Sequence, residues 1–123
     1  MKLTDAEEQL MEMIWDRERI FMKDIIECYP DPKPATTTIA TLLKRMQNKG
    51  FVGYDLMGNS RQYFPLVKKS AYFSKQVKGL ISNFFGNSAM QFASFFTTET
   101  DLSTKELEEL KKIIDTEIKR KNQ

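Results

Sequence analysis

PATTTIATLLKRMQNKG, residues 34–50, is the stretch whose reading decides the fold. Ile39, Leu42, Leu43 and Met46 recur at i, i+3, i+4 and i+7, the spacing that lines one face of an α-helix. At about 100° of rotation per residue, Thr37, Thr41, Lys44 and Asn48 lie opposite that stripe, with Ala40 and Arg45 on its flanks. Pro34 stops any earlier helix, Thr36 is placed to cap the new one, and Gly50 suits the position just past its end. The front of this helix holds hydroxyls, an amide and cations, and no acid. A solvated helix face ordinarily mixes Glu with Lys. An acid-free front of hydroxyls and cations suits a surface that lies against phosphates and base edges. The plainer alternative is a surface helix rich in Thr.

Upstream, Thr4-Asp5-Ala6-Glu7 reads as a capping box, with Thr4 capping and Glu7 reaching back. Ala6, Leu10, Met13 and Ile14 follow at helical spacing, and Met11 and Trp15 widen the apolar face, so a first helix ends near Asp16. Trp15 reads as a core anchor. Arg19-Ile20-Phe21 has the length of a small strand at most. Met22, Ile25, Ile26 and Tyr29 repeat the helical pattern, and Pro30 and Pro32 end it. Three helices with a tight connection before a polar-faced third form the helix-turn-helix pattern.

Downstream of Gly50 the period changes to two. Phe51–Leu56 and Arg61–Phe64 read as strands around Met57-Gly58-Asn59-Ser60, a turn in which Gly and Asn tolerate φ > 0. A hairpin directly after a recognition helix is the wing of a winged helix. Arg61, beside the turn, is placed to reach a phosphate or the minor groove, and Lys49, at the helix end, to reach the backbone. The alternative for Arg61 is a solvent-facing strand residue.

Charge is distributed to match. Residues 2–31 carry four cations against nine acids, net −5, whereas residues 33–69 carry seven cations against Asp55 alone, net +6, inside a chain of net +2. A basic segment containing the candidate recognition helix, with an acidic back, is the footprint of a nucleic-acid face. The 123 residues suffice for one domain with a core, or for a small domain plus an oligomerisation segment. There is no His and only Cys28, which is followed by Tyr29-Pro30. That composition argues against a soft-metal site, a cofactor, histidine base catalysis and any internal disulfide, so no enzyme is expected. No apolar run has the length of a membrane span, and MKLTDAEEQL lacks the apolar core of a secretory signal. The expected location is the reducing cytoplasm.

Beyond Pro65 the pattern is helical throughout. Phe73, Val77, Leu80, Ile81 and Phe84 form one stripe ended by Gly86, and Phe84, Phe85, Phe92, Phe95 and Phe96 crowd into thirteen positions. Ser103-Thr104-Lys105-Glu106 is a second capping box, opening a last helix with Leu107, Leu110, Ile114 and Ile118 on one face. So many aromatics exceed what a helical hairpin buries alone. The expectation is a helical module that completes its core with a second copy of itself. Packing on the winged helix is the alternative.

With these landmarks in place, the chain from about Leu3 to Ile118 resembles the penicillinase-repressor family of bacterial transcription regulators. The resemblance rests on Leu10-Met11-Glu12-Met13-Ile14-Trp15, on Thr38-Ile39-Ala40-Thr41-Leu42-Leu43-Lys44-Arg45-Met46, on Gly50-Phe51-Val52 and on Leu107-Glu108-Glu109-Leu110. It implies a mainly α fold with a small β-hairpin, a winged helix-turn-helix DNA-binding domain over residues 1–66, and a helical dimerisation domain over residues 67–123. It also implies a homodimeric repressor on promoter inverted repeats of the TACA/TGTA kind, with a membrane sensor protease system acting upstream. Carried over residue by residue, Thr38, Thr41 and Arg45 become operator contacts, with Thr37 and Lys44 beside them. Many members have Lys in place of Thr37 and often Arg in place of Ala40. The paired C-x-C motifs of the copper-responsive branch are missing. The rival reading is a winged-helix interaction module that has lost sequence-specific DNA binding.

Members of that family are inactivated by cleavage at an Asn-Phe bond, where this chain has Phe95-Phe96; its own Asn83-Phe84 lies one helix earlier. A family protease is therefore expected to leave the bond between Phe95 and Phe96 intact. Mass spectrometry of fragments from induced cells checks this, and a cut there would refute it.

Overall fold

The computed structural model describes residues 2–123. The elements run α1 (Asp5–Arg17), β1 (Ile20–Phe21), α2 (Met22–Cys28), α3 (Thr36–Asn48), β2 (Val52–Met57), β3 (Ser60–Pro65), α4 (Lys69–Phe84), α5 (Ala89–Glu99) and α6 (Thr104–Lys121). They form two compact units, residues 1–76 and 77–123, so the first two turns of α4 belong with the winged helix.

In the first unit α1 starts as its sequence dictates. Thr4 Oγ1 accepts from Glu7 N at 3.2 Å, and Glu7 Oε1 accepts from Thr4 N at 2.8 Å. The inward face is Leu10, Met11 and Ile14, all fully buried. Ala6, expected in that stripe, is exposed, and the position one turn before Leu10 is taken by Glu7. Trp15 is half-buried; its Nε1 donates to Val67 O at 2.8 Å, and its ring lies 5.8 Å from those of Tyr72 and Phe73. Tyr72 is buried and closes the unit: its hydroxyl accepts from Leu3 N at 3.1 Å and donates to Glu8 Oε2 at 2.7 Å.

The third helix begins one residue earlier than the Thr36 cap would have it. Ala35 is the cap, its carbonyl accepting from Thr38 N at 3.0 Å and Ile39 N at 3.3 Å, with no side-chain cap. Once past Pro34 the chain needs only the extended Ala35 before it turns, so Thr36 enters the first turn. The other end matches expectation. Phe51 N donates to Met46 O at 2.9 Å and Gly50 N to Gln47 O at 3.0 Å, with Gly50 at φ +82°. This is a Schellman stop, whose left-handed residue favours Gly. It throws Phe51 back onto the core and sends the chain into β2.

The sheet has strand order β1-β3-β2, all antiparallel. The two-residue turn Gly58-Asn59 has a positive φ at Gly58 alone (+66°), so Gly carries the strain-free left-handed step and Asn59 does not. Register places Tyr54 opposite Tyr63 and Leu56 opposite Arg61, and so gathers these four on one face. Asp55, Gln62 and Phe64 lie on the other, where Arg19 bonds Asp55 at 2.9 Å and stacks 4.7 Å from the Phe64 ring.

The second unit has a different character. Among the described residues, none from 77 to 123 is buried. Its α6 opens on the expected capping box, Ser103 with Glu106. Phe85 contacts Phe92 and Phe95 edge-on or tilted, and Phe92 stacks on Phe96. Phe84 is 78% exposed, Ile113 63% and Ile114 52%.

One buried ion pair ties the first unit together. Lys49 Nζ lies 2.6 Å from Glu7 Oε1, joining the end of α3 to the start of α1. Glu7 is fully buried. Burial alone would raise its pKa, but the Lys49 ammonium and the Thr4 bonds outweigh it and hold the carboxyl below its usual value. The pair therefore stabilises the fold above the unfolded carboxyl pKa and is lost as pH falls through the lower folded value. Lys49→Met strands a buried carboxylate and is expected to cost about 3 kcal/mol, the low end for a broken buried pair. Denaturant titration at neutral pH measures this; Glu7→Gln with Lys49→Met should recover much of the loss.

Candidate nucleic-acid interface

Burial of Ile39, Leu42, Leu43 and Met46 against the core fixes the rotation of α3 about its axis. Thr36, Thr37, Thr38, Thr41, Lys44, Arg45 and Asn48 are consequently all exposed. The front foreseen from the sequence is thus the front presented. Thr41 Oγ1 donates to Thr37 O at 2.9 Å, which commits its hydroxyl proton and leaves the exposed side chain with an oxygen able to accept. An acceptor beside a methyl suits an amino group or a thymine methyl on a base edge.

The cations divide into free and engaged. Among the described residues, Lys44, Arg45 and Arg61 have no ion-pair partner. Arg61 lies over the Tyr54 ring, 4.2 Å from its centroid, which holds its guanidinium on the α3 side of the wing. Lys49, expected to touch a phosphate, is instead committed to Glu7 and only a quarter exposed. Asp55, the single acid of the basic segment, is matched by Arg19. Its neutralisation leaves the positive field of α3 and Arg61 without a local opponent.

Sequence reasoning passed over Gln47. It sits one turn beyond Lys44, half-buried, in a cleft of about 330 Å³ between α3 and the wing. Ala40, Lys44, Tyr54, Arg61 and Tyr63 line the rest. No local signal marks it, because the other wall of the cleft comes from strands that return later in the chain.

The residues of the expected dimer surface fall in two places. Phe73 packs on Trp15 and Tyr72 inside the first unit. Val77, Leu80, Phe84, Phe95, Phe96, Leu107 and Ile114 are exposed in the single chain, whereas Phe85, Phe92 and Leu110 are half-buried. No helix among the described residues is long and apolar enough to cross a membrane.

Three helices, a small antiparallel sheet and a hairpin wing, with an acid-free helix front, define a winged helix-turn-helix protein. A family model described as Penicillinase repressor matches residues 3–116, and the chain belongs to that family. The methicillin resistance regulatory protein MecI of Staphylococcus aureus is 30% identical over 115 residues, spanning 93% of this chain and 94% of that one. The penicillinase repressor of Bacillus licheniformis is 25% identical over 123 residues, spanning 99% and 96%. Among solved structures, wild-type apo MarR from E. coli aligns with TM-score 0.51 at 14% identity, over 93% of this chain and 76% of that chain, a likeness of fold alone.

The free cations and the front of α3 should fail differently. Arg61→Ala is expected to weaken specific and random duplexes alike and to flatten the salt dependence by about one phosphate contact. Arg45→Ala should instead reduce discrimination between them, by about 1–3 kcal/mol per half-site. Titrations against both duplexes at several salt concentrations separate the two.

Proposed function

We propose that the protein is a cytoplasmic, homodimeric transcriptional repressor that occupies an inverted repeat in promoter DNA. The observation that carries this is the two-faced α3: a fully buried apolar back, and an exposed front of Thr37, Thr38, Thr41, Lys44, Arg45 and Asn48 with no acid among them. In this reading α3 enters the major groove, Thr38, Thr41 and Arg45 meet base edges, and Arg61 on the wing meets the backbone toward the adjacent minor groove. Repression follows from occupancy, since a promoter covered by the dimer is closed to polymerase. The relatives named as repressors support the assignment.

Homodimerisation is supported by the second unit. Among the described residues none from 77 to 123 is buried, so this unit has little interior of its own, and its exposed Val77, Leu80, Phe84, Ile113, Ile114 and Ile118 await a partner surface. A two-fold pair completes the core with the same residues from both copies. The two recognition helices then read half-sites about one helical turn apart, roughly 34 Å.

Selection of bound duplexes from a random library tests the assignment. An inverted repeat should emerge; no duplex bound more tightly than about 10⁻⁴ M, the weak edge of non-specific affinity, would favour the interaction-module reading. The full chain should sediment as a dimer at micromolar concentration. Ile114→Asp is expected to shift it toward monomer and to weaken DNA binding in parallel, because the affinity of two linked half-sites is lost with the linkage.

A further inference from the structure

The start of α4 is fixed to the winged helix through one side chain. Tyr72, 3% exposed, is the last buried residue of the chain among those described. Its hydroxyl accepts from Leu3 N at 3.1 Å and donates to Glu8 Oε2 at 2.7 Å, so both of its hydrogen-bonding roles are filled from the start of α1. Its ring lies edge-on to that of Phe51, with 5.6 Å between centroids. Phe51 is the residue that the Gly50 stop throws back from the end of α3, and Lys49, just before that stop, is bonded to Glu7, the neighbour of Glu8. An aromatic contact and a buried ion pair thus give two short paths from the end of the recognition helix to the root of α4. Both lie within the first unit. The root is held again nearer the surface, where Lys69 pairs with Glu12 at 2.9 Å and Trp15 Nε1 donates to Val67 O at 2.8 Å.

A phenylalanine would bury the same ring without a polar atom to satisfy. What the hydroxyl adds is direction. Hydrogen bonds weaken steeply as their angles open, so a donor and an acceptor converging on one oxygen tie the helix root to a single orientation. From that root α4 runs unbroken to Phe84 and carries Val77, Leu80 and Phe84, exposed residues of the proposed dimer surface. The chain passes from its recognition helix to that surface only along α4. Resting on the repressor reading above, we propose that Tyr72 is a positioning residue that sets which half-site spacing the dimer accepts, by fixing the direction of the α4 root relative to α3. It touches no DNA and reads no base.

Duplex geometry makes spacing a sensitive readout. One added base pair moves the second half-site by about 3.4 Å and turns it by about 35° around the duplex axis. Two recognition helices on fixed roots cannot follow that turn, and the dimer then loses the advantage of two linked sites, on the order of 10²–10⁴-fold. Releasing the Tyr72 hydroxyl lowers the resistance to that turn by roughly tenfold, the net worth of its hydrogen bonds.

The experiment takes the operator that the full-length wild type selects from a random library and rebuilds it with the spacer between half-sites lengthened or shortened by one and two base pairs. Wild type should prefer one spacer. Tyr72→Phe should select the same half-site sequence and bind a single half-site as wild type does, but its penalty on the altered spacers should be roughly tenfold smaller. Glu8→Gln keeps an acceptor for the hydroxyl and should stay close to wild type, whereas Glu8→Ala should move toward Tyr72→Phe. A merely structural role predicts an equal loss at every spacer, and that result would overturn the inference. So would a wild type that binds several spacers alike, with the repressor reading left standing. If wild type selects no inverted repeat, the repressor reading falls and the inference with it. If Tyr72→Phe fails to fold, Glu8→Ala decides: a spacer preference unchanged from wild type overturns the inference.

Discussion

Everything that faces outward on α3 is set by what faces inward. A helix rotated by one residue turns by about 100°, which would carry Thr41 and Lys44 off the front and bring the apolar stripe into water. Ile39, Leu43 and Met46 are buried to within 1% and Leu42 to 9%. Each such side chain contributes about 1.5–3 kcal/mol relative to exposure, so exposing all four would cost roughly 6–12 kcal/mol, comparable to a single domain's whole margin of about 5–15 kcal/mol. The Schellman stop at Gly50 then sets where the wing begins, and the Glu7–Lys49 pair holds the same end of α3 to α1. The functional face is thus a consequence of core packing, although none of its own residues packs in the core.

How legible each feature was depended on the sequence distance over which its cause acts. Capping boxes at Thr4/Glu7 and Ser103/Glu106, the Gly50 stop and the Gly58 turn are local, and each was readable from a few consecutive residues. So was the two-faced pattern of α3. The Lys49–Glu7 pair was not legible because its partners stand 42 residues apart; as sequence Lys49 is another cation beside a basic helix. Glu7 was recognised as a cap, but its burial was not, since the same oxygen serves the cap and Lys49. Tyr72 bonds Leu3 across 69 residues, which places the start of α4 with the first unit although its periodicity continues into the second. Gln47 and Arg61 meet across a cleft that exists only once β2 and β3 have returned beside α3.

The second unit was legible in another sense. Its aromatic density marked an incomplete core, and the isolated chain indeed leaves every residue from 77 to 123 at least partly exposed among those described. Beyond local hydrogen bonds, caps and side-chain pairs such as Glu117–Arg120, the aromatic contacts of Phe85, Phe92, Phe95 and Phe96 hold these helices, and most helical stability in proteins comes from packing of an apolar face. Folding of this unit and association of two copies are, on the proposed reading, one equilibrium. Its apparent stability then depends on protomer concentration.

That coupling matters for what the recognition front can achieve. The front is chemically modest: Thr37, Thr38 and Thr41 offer single hydroxyl contacts and methyl groups, Lys44 and Arg45 are able to bond a guanine edge, and Asn48 an adenine edge. A good bidentate contact discriminates by about 1–3 kcal/mol, which one half-site cannot stretch to the 10³–10⁷ separation typical of specific over non-specific binding. Joining two half-sites doubles the discrimination free energy and so squares the ratio, without adding a new type of contact. A protomer with this front needs its partner for selectivity as well as for affinity. Loss of dimerisation would therefore leave a basic winged helix with residual phosphate attraction and little sequence preference. On the proposed reading, the sparse interior of the second unit and the small side chains of the first act together, and specificity is a property of the pair.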